Sequence, residues 1–278
     1  MKFNTNKYLV IGASGKTGSR VYQKLHDLGL DVQGASRNGE IHFDWQAPET
    51  WARALLGVDA VYLTYYPDLA MPQAPDDIAK FCALAKIKGV KHITLLSGRG
   101  EPAAQVCEEI VQTSDLSNTI VRASWFNQNF SEGMFHNFIV AGTIELPVGA
   151  VGEPFVDVDD ICDVVVASLL DERHNGKLYE VTGPELLSFA QLADIFSKVL
   201  QTPISFVEVS LSDFVATLRD QKVDSHVIDM LTYLFTEVLD GRNAYAVDGV
   251  EQALGRSAKT FEQFVIANQN HFGRGSHV

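Results

Sequence analysis

Tyr8-Leu9-Val10-Ile11-Gly12-Ala13-Ser14-Gly15-Lys16-Thr17-Gly18 is the stretch that sets the fold. A short apolar run ends at Gly12, and three glycines follow at G-x-x-G-x-x-G spacing. A helical period begins at once, with Val21, Leu25 and Leu28 at i, i+4 and i+7 and Gly29 at the C′ place. Gly12 permits the tight turn out of a strand. Gly15 lets the backbone approach a diphosphate with no Cβ in the way, and Gly18 allows helix and sheet to pack closely. The helix start adds unpaired N–H groups and a partial positive charge. Gly12, Ala13, Ser14, Gly15, Lys16, Thr17 and Gly18 are therefore expected to hold a dinucleotide diphosphate. Two other readings exist. Gly15-Lys16-Thr17 ends like a nucleoside-triphosphate loop, but that loop needs a glycine five residues before Gly15, where Val10 stands. The other is a glycine-rich turn with no ligand.

Outward from this loop, strand and helix alternate. Asp31–Ser36, Ile41–Phe43, Val58–Thr64, His92–Leu96 and Thr119–Arg122 read as further strands, apolar enough for a sheet covered on both faces. Pro48–Leu56, Asp76–Lys88 and Pro102–Thr113 read as helices between them. This rhythm predicts an α/β fold, a doubly wound parallel sheet of the Rossmann kind with right-handed crossovers. After Trp125 the alternation weakens. Helices are expected over 158–170, 188–200 (Ser188 as N-cap), 210–219, 223–238 and 260–268, and strands over 177–181 and 204–207. The expected division is 1–124 as nucleotide-binding core, 125–272 as a smaller C-terminal α+β substrate lobe with returning sheet elements, and 273–278 as a frayed tail.

The end of the second strand bears on the cofactor. An NAD site usually places an acid there for the ribose 2′-hydroxyl, whereas this chain has Ala35-Ser36-Arg37-Asn38. A guanidinium suits a 2′-phosphate, and Ser36 adds a hydroxyl, so NADP(H) is expected over NAD(H). A solvated Arg37 without ligand is the plain alternative. Asp44, after the third strand, is a candidate for adenine or a cap for its own loop. Ligands of such sheets lie beyond the C-terminal strand ends, which places Thr64, Tyr65, Tyr66, Ser97, Arg99, Trp125, Phe126, Asn127 and Asn129 in view. Tyr65 and Tyr66 flank a nicotinamide ribose or simply pack at a strand end. Arg99 neutralises an acidic substrate or is solvated. Trp125, Phe126, Asn127 and Asn129 line a substrate pocket or belong to a core. Glu108 and Glu109 are weaker proton-donor candidates, with a solvated helix face favoured, and His136 is a lone histidine. Asp157, Asp159 and Asp160 suit a helix start better than a metal, and no metal is expected.

Lys and Arg total 22 against 35 Asp and Glu, a net charge of −13, and no run of four cations occurs. That argues against nucleic acid or an anionic membrane as partner. No apolar stretch is long enough to span a bilayer, and no secretory h-region precedes Tyr8. Cys82, Cys107 and Cys162 are widely spaced, with no CxxC pair, and read as reduced core thiols of a cytoplasmic protein. A small-molecule substrate is the expected partner, with a homodimer left open.

The glycine loop, Ala35-Ser36-Arg37, Phe43-Asp44-Trp45 and Gly89–Ser97 together resemble an NmrA-like atypical short-chain dehydrogenase/reductase, as do Val121–Phe130 and Phe155–Ile161. Within that group the chain is most similar to the festuclavine and agroclavine dehydrogenase branch. The resemblance implies NADP(H) binding and hydride transfer to a quinone, iminium or conjugated carbonyl, or else an NADP(H)-binding redox sensor without chemistry. It also places Ser97 where the family polarises substrate or contacts cofactor. One departure stands out: none of the eight Tyr has Lys at i+4, and Pro102–Thr113 contains no Tyr. The usual Tyr–Lys proton donor is therefore missing.

Overall fold

The computed structural model describes residues 6–133 and 135–273. The readings of the first residues and of the tail fall outside these, Asn6, Lys7 and Gly273 apart. In chain order the elements are β1 (Lys7–Ile11), α1 (Lys16–Asp27), β2 (Asp31–Ser36), β3 (Ile41–His42), α2 (Trp51–Ala54), β4 (Ala60–Leu63), α3 (Ala74–Ile87), β5 (His92–Gly98), α4 (Pro102–Gln112) and β6 (Ser117–Ala123). There follow α5 (His136–Ala141), β7 (Thr143–Leu146), α6 (Val158–Leu170), β8 (Lys177–Val181), α7 (Phe189–Leu200), β9 (Ser205–Glu208), α8 (Leu211–Asp220), α9 (Ser225–Tyr233), α10 (Gly249–Leu254), α11 (Phe261–Ala267) and α12 (Gln269–Phe272).

The chain forms two compact units. The first joins Met1–Ala123, Val158–Val181 and Asp248–Ser257. Its sheet runs β3-β2-β1-β4-β5-β6-β8, every pairing parallel, so the expected doubly wound parallel sheet of the Rossmann kind forms, with β8 as a further edge strand. α1 and α6 pack together on the sheet, as do α3 and α4. β4 is buried along its whole length, the signature of a strand covered on both faces. β2 departs from the apolar expectation: Asp31 is exposed and Val32, Gln33 and Gly34 are only half-buried, because on its side away from β1 only two-residue β3 flanks it. Leu28 also departs. It terminates α1 and is 59% exposed, leaving Val21 and Leu25 as the buried stripe. Gly29 adopts φ +71°, the left-handed C′ conformation its position implied.

The second unit joins Ser124–Asp157, Thr182–Val247 and Ala258–Val278. β7, which its four mixed residues did not reveal, pairs in parallel with β9. Its core is aromatic: Phe130, Phe135, Phe155, Phe189, Phe196, Phe261 and Phe264 are all buried in one cluster. Each such ring adds roughly 1.5–3 kcal/mol of hydrophobic stabilisation. Ser188 caps α7 in a full capping box with Gln191, as expected. The helix expected over 223–238 is α9 continued by a π-helical turn over Leu234–Val238.

Candidate functional site

The turn after β1 is built from backbone. Gly12 N and Ala13 N both donate to Ala35 O, at 2.9 and 3.2 Å, and Gly15 N donates to Gly12 O at 2.8 Å. Gly12 has φ +73°, and a Cβ there would come within 2.6 Å of Thr64 Oγ1. Gly18 is stricter: a Cβ would collide with the Gly12 carbonyl oxygen and lie 2.6 Å from its carbon. Gly15 is extended, at φ −86° and ψ 174°, as the N-cap of α1, and no side chain caps that helix start. An exposed helix N-terminus without a capping side chain keeps its N–H groups available to an anion.

A cavity of about 390 Å³ opens over this turn, lined by Ile11, Gly12, Ser14, Gly15, Thr17, Ser36, Arg37, Asn38, Phe43, Asp44, Trp45, Gln46, Thr64, Tyr65 and Tyr66. The volume suits a small-molecule site. Among the described residues lining it Arg37 is the only cation, and its guanidinium lies 4.2 Å from the Tyr66 ring centroid. That cation–π contact steadies an exposed side chain from β2 against one from the β4 end. Asp44 is the only acid among the described lining residues. Its carboxylate accepts from Gln46 N at 3.0 Å, so it caps its own loop, one of the two roles expected of it. The far wall is rigid. Thr64 Oγ1 donates to Ile11 O at 3.0 Å, Trp45 Nε1 to Thr64 O at 3.0 Å, and Trp51 Nε1 to Asp44 O at 2.8 Å.

Most expected cofactor residues thus meet at one cavity. Ala13, Lys16, Gly18 and Ser97 do not line it. Ala13 turns its methyl toward β2, where it would crowd any Cβ on Gly34, and Gly18 serves helix packing. Tyr65 lines the cavity but packs against Trp45 at 4.7 Å between centroids and donates to Asp77 at 2.8 Å. Burial and that bond push its hydroxyl pKa up. Phe43, Trp45, Gln46, Asn38 and Ile11 complete the lining. The aromatic pair was visible in the sequence as part of a motif but had no assigned role.

Ser97 is buried at the end of β5 with its hydroxyl unpartnered in the structure. The solvated alternative for Arg99 fails: the residue is 4% exposed, and its Nε sits 3.3 Å from Glu180. An acidic substrate would have to compete with that carboxylate. The solvated reading of Glu108 also fails. Glu108 is buried and held by Arg122, which bonds Glu180 as well, and these bonds raise the Arg122 pKa. Burial of one charge demands a paired opposite charge, and the Arg122 guanidinium supplies it for Glu108. Glu109 is exposed as expected.

In the second unit Trp125 stacks on Phe135 at 6.3 Å and lies 5.6 Å from Phe235, against the aromatic core. Phe126 forms a bridge with Val156. Asn127 is fully buried with both amide atoms unpartnered, and Asn129 is half-buried. His136 Nε2 donates to His271 O at 2.9 Å, and its ring stacks on Phe272. The three acids near α6 face cations: Asp157 meets Lys259 at 3.7 Å, Asp159 meets Arg20 at 3.4 Å, and Asp160 meets Arg256 at 2.7 Å. Among the described residues no cluster of three His, Cys, Asp or Glu is placed to hold a metal. All three cysteines are buried and outside any disulfide.

The NmrA-like family model matches residues 104–265, more than half the chain. The chain belongs to the NmrA-like family. The NAD(P)H azoreductase of Xenophilus azovorans is 28% identical over 290 residues, covering 95% of this chain and 99% of that protein. The festuclavine dehydrogenase easG of Aspergillus fumigatus is 29% identical, covering 92% and 96%. Among solved structures, the Citrobacter sp. triphenylmethane reductase complexed with NADP(H) superposes with a TM-score of 0.80 at 20% identity, covering 94% of this chain and 99% of that one. The fold of that reductase is thus shared across nearly the whole chain. Among the described residues no helix is long and apolar enough to cross a membrane.

Proposed function

We propose that this NmrA-like chain reduces a small electrophile, a quinone, an iminium or a conjugated carbonyl, with NADPH. It is an NAD(P)H-dependent oxidoreductase, and similarity to a protein named NAD(P)H azoreductase and to a clavine dehydrogenase supports the class. The carrying observation is the cavity that joins an uncapped helix start to a lone cation, Arg37, with its one acid already engaged. The backbone of 12–18 would hold the diphosphate, and Ser36 with Arg37 the 2′-phosphate. The hydrogen bonds from Thr64 to Ile11, Trp45 to Thr64 and Trp51 to Asp44 keep the wall fixed, so little ordering accompanies binding. A bound nicotinamide supplies hydride to the acceptor. Ser97, Arg99, Trp125, Phe126, Asn127 and Asn129 remain the candidates for substrate contact.

Purified chain should oxidise NADPH in the presence of at least one quinone or N-alkyl iminium salt. Tight NADPH binding with no turnover across such a panel would remove the reductase reading. It would favour the sensor reading, whose motive is that α4 carries no Tyr and fixes Glu108 in an ion pair. A sensor should distinguish NADP⁺ from NADPH in affinity.

A further inference from the structure

The missing Tyr–Lys pair leaves a proton donor to be found, and Glu101 is a buried acid that no ion pair among the described residues neutralises. Glu101 is 7% exposed and occupies the N-cap position of α4. Asp, Asn, Ser or Thr there would cap the helix, whereas this longer side chain makes no capping bond. It turns to the backbone of β5 instead: its carboxyl oxygen sits where a Cβ on Gly98 would be. Gly98 is the last residue of β5, so a glycine is what admits the carboxyl to the C-terminal edge of the sheet. Its neighbour is a second acid, Asp68, in the segment after β4. Asp68 is held in place by accepting from Ala70 N at 2.7 Å. β4 and β5 are adjacent strands, so the two acids meet over neighbouring strand ends, where ligands of this fold gather.

Resting on the reductase reading, we propose that Glu101, hydrogen-bonded to Asp68, is the acid that protonates the reduced substrate. A carboxylate beside a buried carboxyl disfavours its ionisation, so Asp68 favours the protonated form of Glu101. Burial and the proximity of Asp68 push the Glu101 carboxyl up to about 8. The other titratable groups nearby do not relieve this. Arg99 faces Glu180, Tyr65 is bonded to Asp77, and the Cys107 thiol of α4 is itself pushed up by burial, then by Glu108 and Asp68. Reduction of a quinone to hydroquinone takes a hydride and one proton. Here the Glu101 O–H bond breaks, an O–H bond forms on the quinone oxygen, and Glu101 is left as carboxylate until solvent reprotonates the pair. Reduction of an N-alkyl iminium takes a hydride and no proton, giving a neutral amine.

The test compares wild type with Glu101→Gln, using NADPH and either a p-quinone or an N-alkyl iminium salt. In wild type, quinone kcat should fall about tenfold per pH unit above pH 8, while iminium kcat should not break there. Glu101→Gln should lower the ratio of quinone to iminium turnover about 100-fold at pH 7 and abolish the break. A readout without cofactor accompanies it. Because the folded acid titrates near 8 and the unfolded one near 4.5, folding binds the proton in between, so Tm should decline as pH rises from 4.5 to 8. Glu101→Gln should flatten that part of the decline. Gly98→Ala, which displaces the carboxyl while keeping both acids, should lower the same turnover ratio if the fold is retained. A Glu101→Gln enzyme that keeps both the ratio and the break overturns the role, as does a Tm profile indifferent to Glu101. Wild type that binds NADPH but reduces neither acceptor overturns the reductase reading itself and this role with it.

Discussion

Gly15→Asp is expected to raise the dissociation constant for NADPH about a thousandfold while leaving the fold intact. Gly15 is exposed, has an ordinary negative φ of −86°, and is the N-cap of α1. A Cβ there meets Gly12 O at 3.2 Å, a tight approach that a small shift relieves. Asp is moreover a favoured N-cap, so Tm should hold or rise. The same carboxylate would stand where the diphosphate is proposed to lie. Like charges about 4 Å apart at an effective dielectric near 20 repel by ~4 kcal/mol, close to three powers of ten. Calorimetric titration with NADPH reads this directly. Unchanged affinity in a stable Gly15→Asp protein would show that the turn is only a bend in the chain.

Arg37→Ala should weaken NADPH by about 10- to 100-fold and NADH little, collapsing the preference between them. A hydrogen bond to a charged group contributes about 1.5–3 kcal/mol, and the lost partner here is specific to the 2′-phosphate. The side chain is exposed, its contact with Tyr66 is a surface one, and no buried group is left unpaired by its removal. Folding should therefore tolerate the change, and thermal unfolding provides the control. Equal losses for both nucleotides would place Arg37 outside the 2′-phosphate site.

What the sequence made legible was local. The glycine spacing, the Gly29 terminus of α1, the Ser188 cap and the strand–helix alternation are all encoded within a turn or two of chain, and the parallel doubly wound sheet followed from them. What it hid was non-local. β7 is four mixed residues whose partner, β9, lies about sixty positions on. Glu108 looked like a surface residue because nothing in its helix reveals Arg122 and Glu180 beneath it. Glu101 and Asp68 each look solvated in the sequence, and only adjacency of β4 and β5 brings them together. Arg99 misled in the same way.

The sheet-bearing unit is assembled from three separated stretches, and its last strand, β8, arrives more than fifty residues after β6. During synthesis, a chain ending near Ala123 would present the outer backbone of β6 bare, with α6, the companion of α1, not yet made. Sticky edges of this kind recruit other nascent chains. Ribosome pausing between residues 124 and 181 should thus increase the yield of misassembled polymer, which chaperones that shield strand edges would suppress.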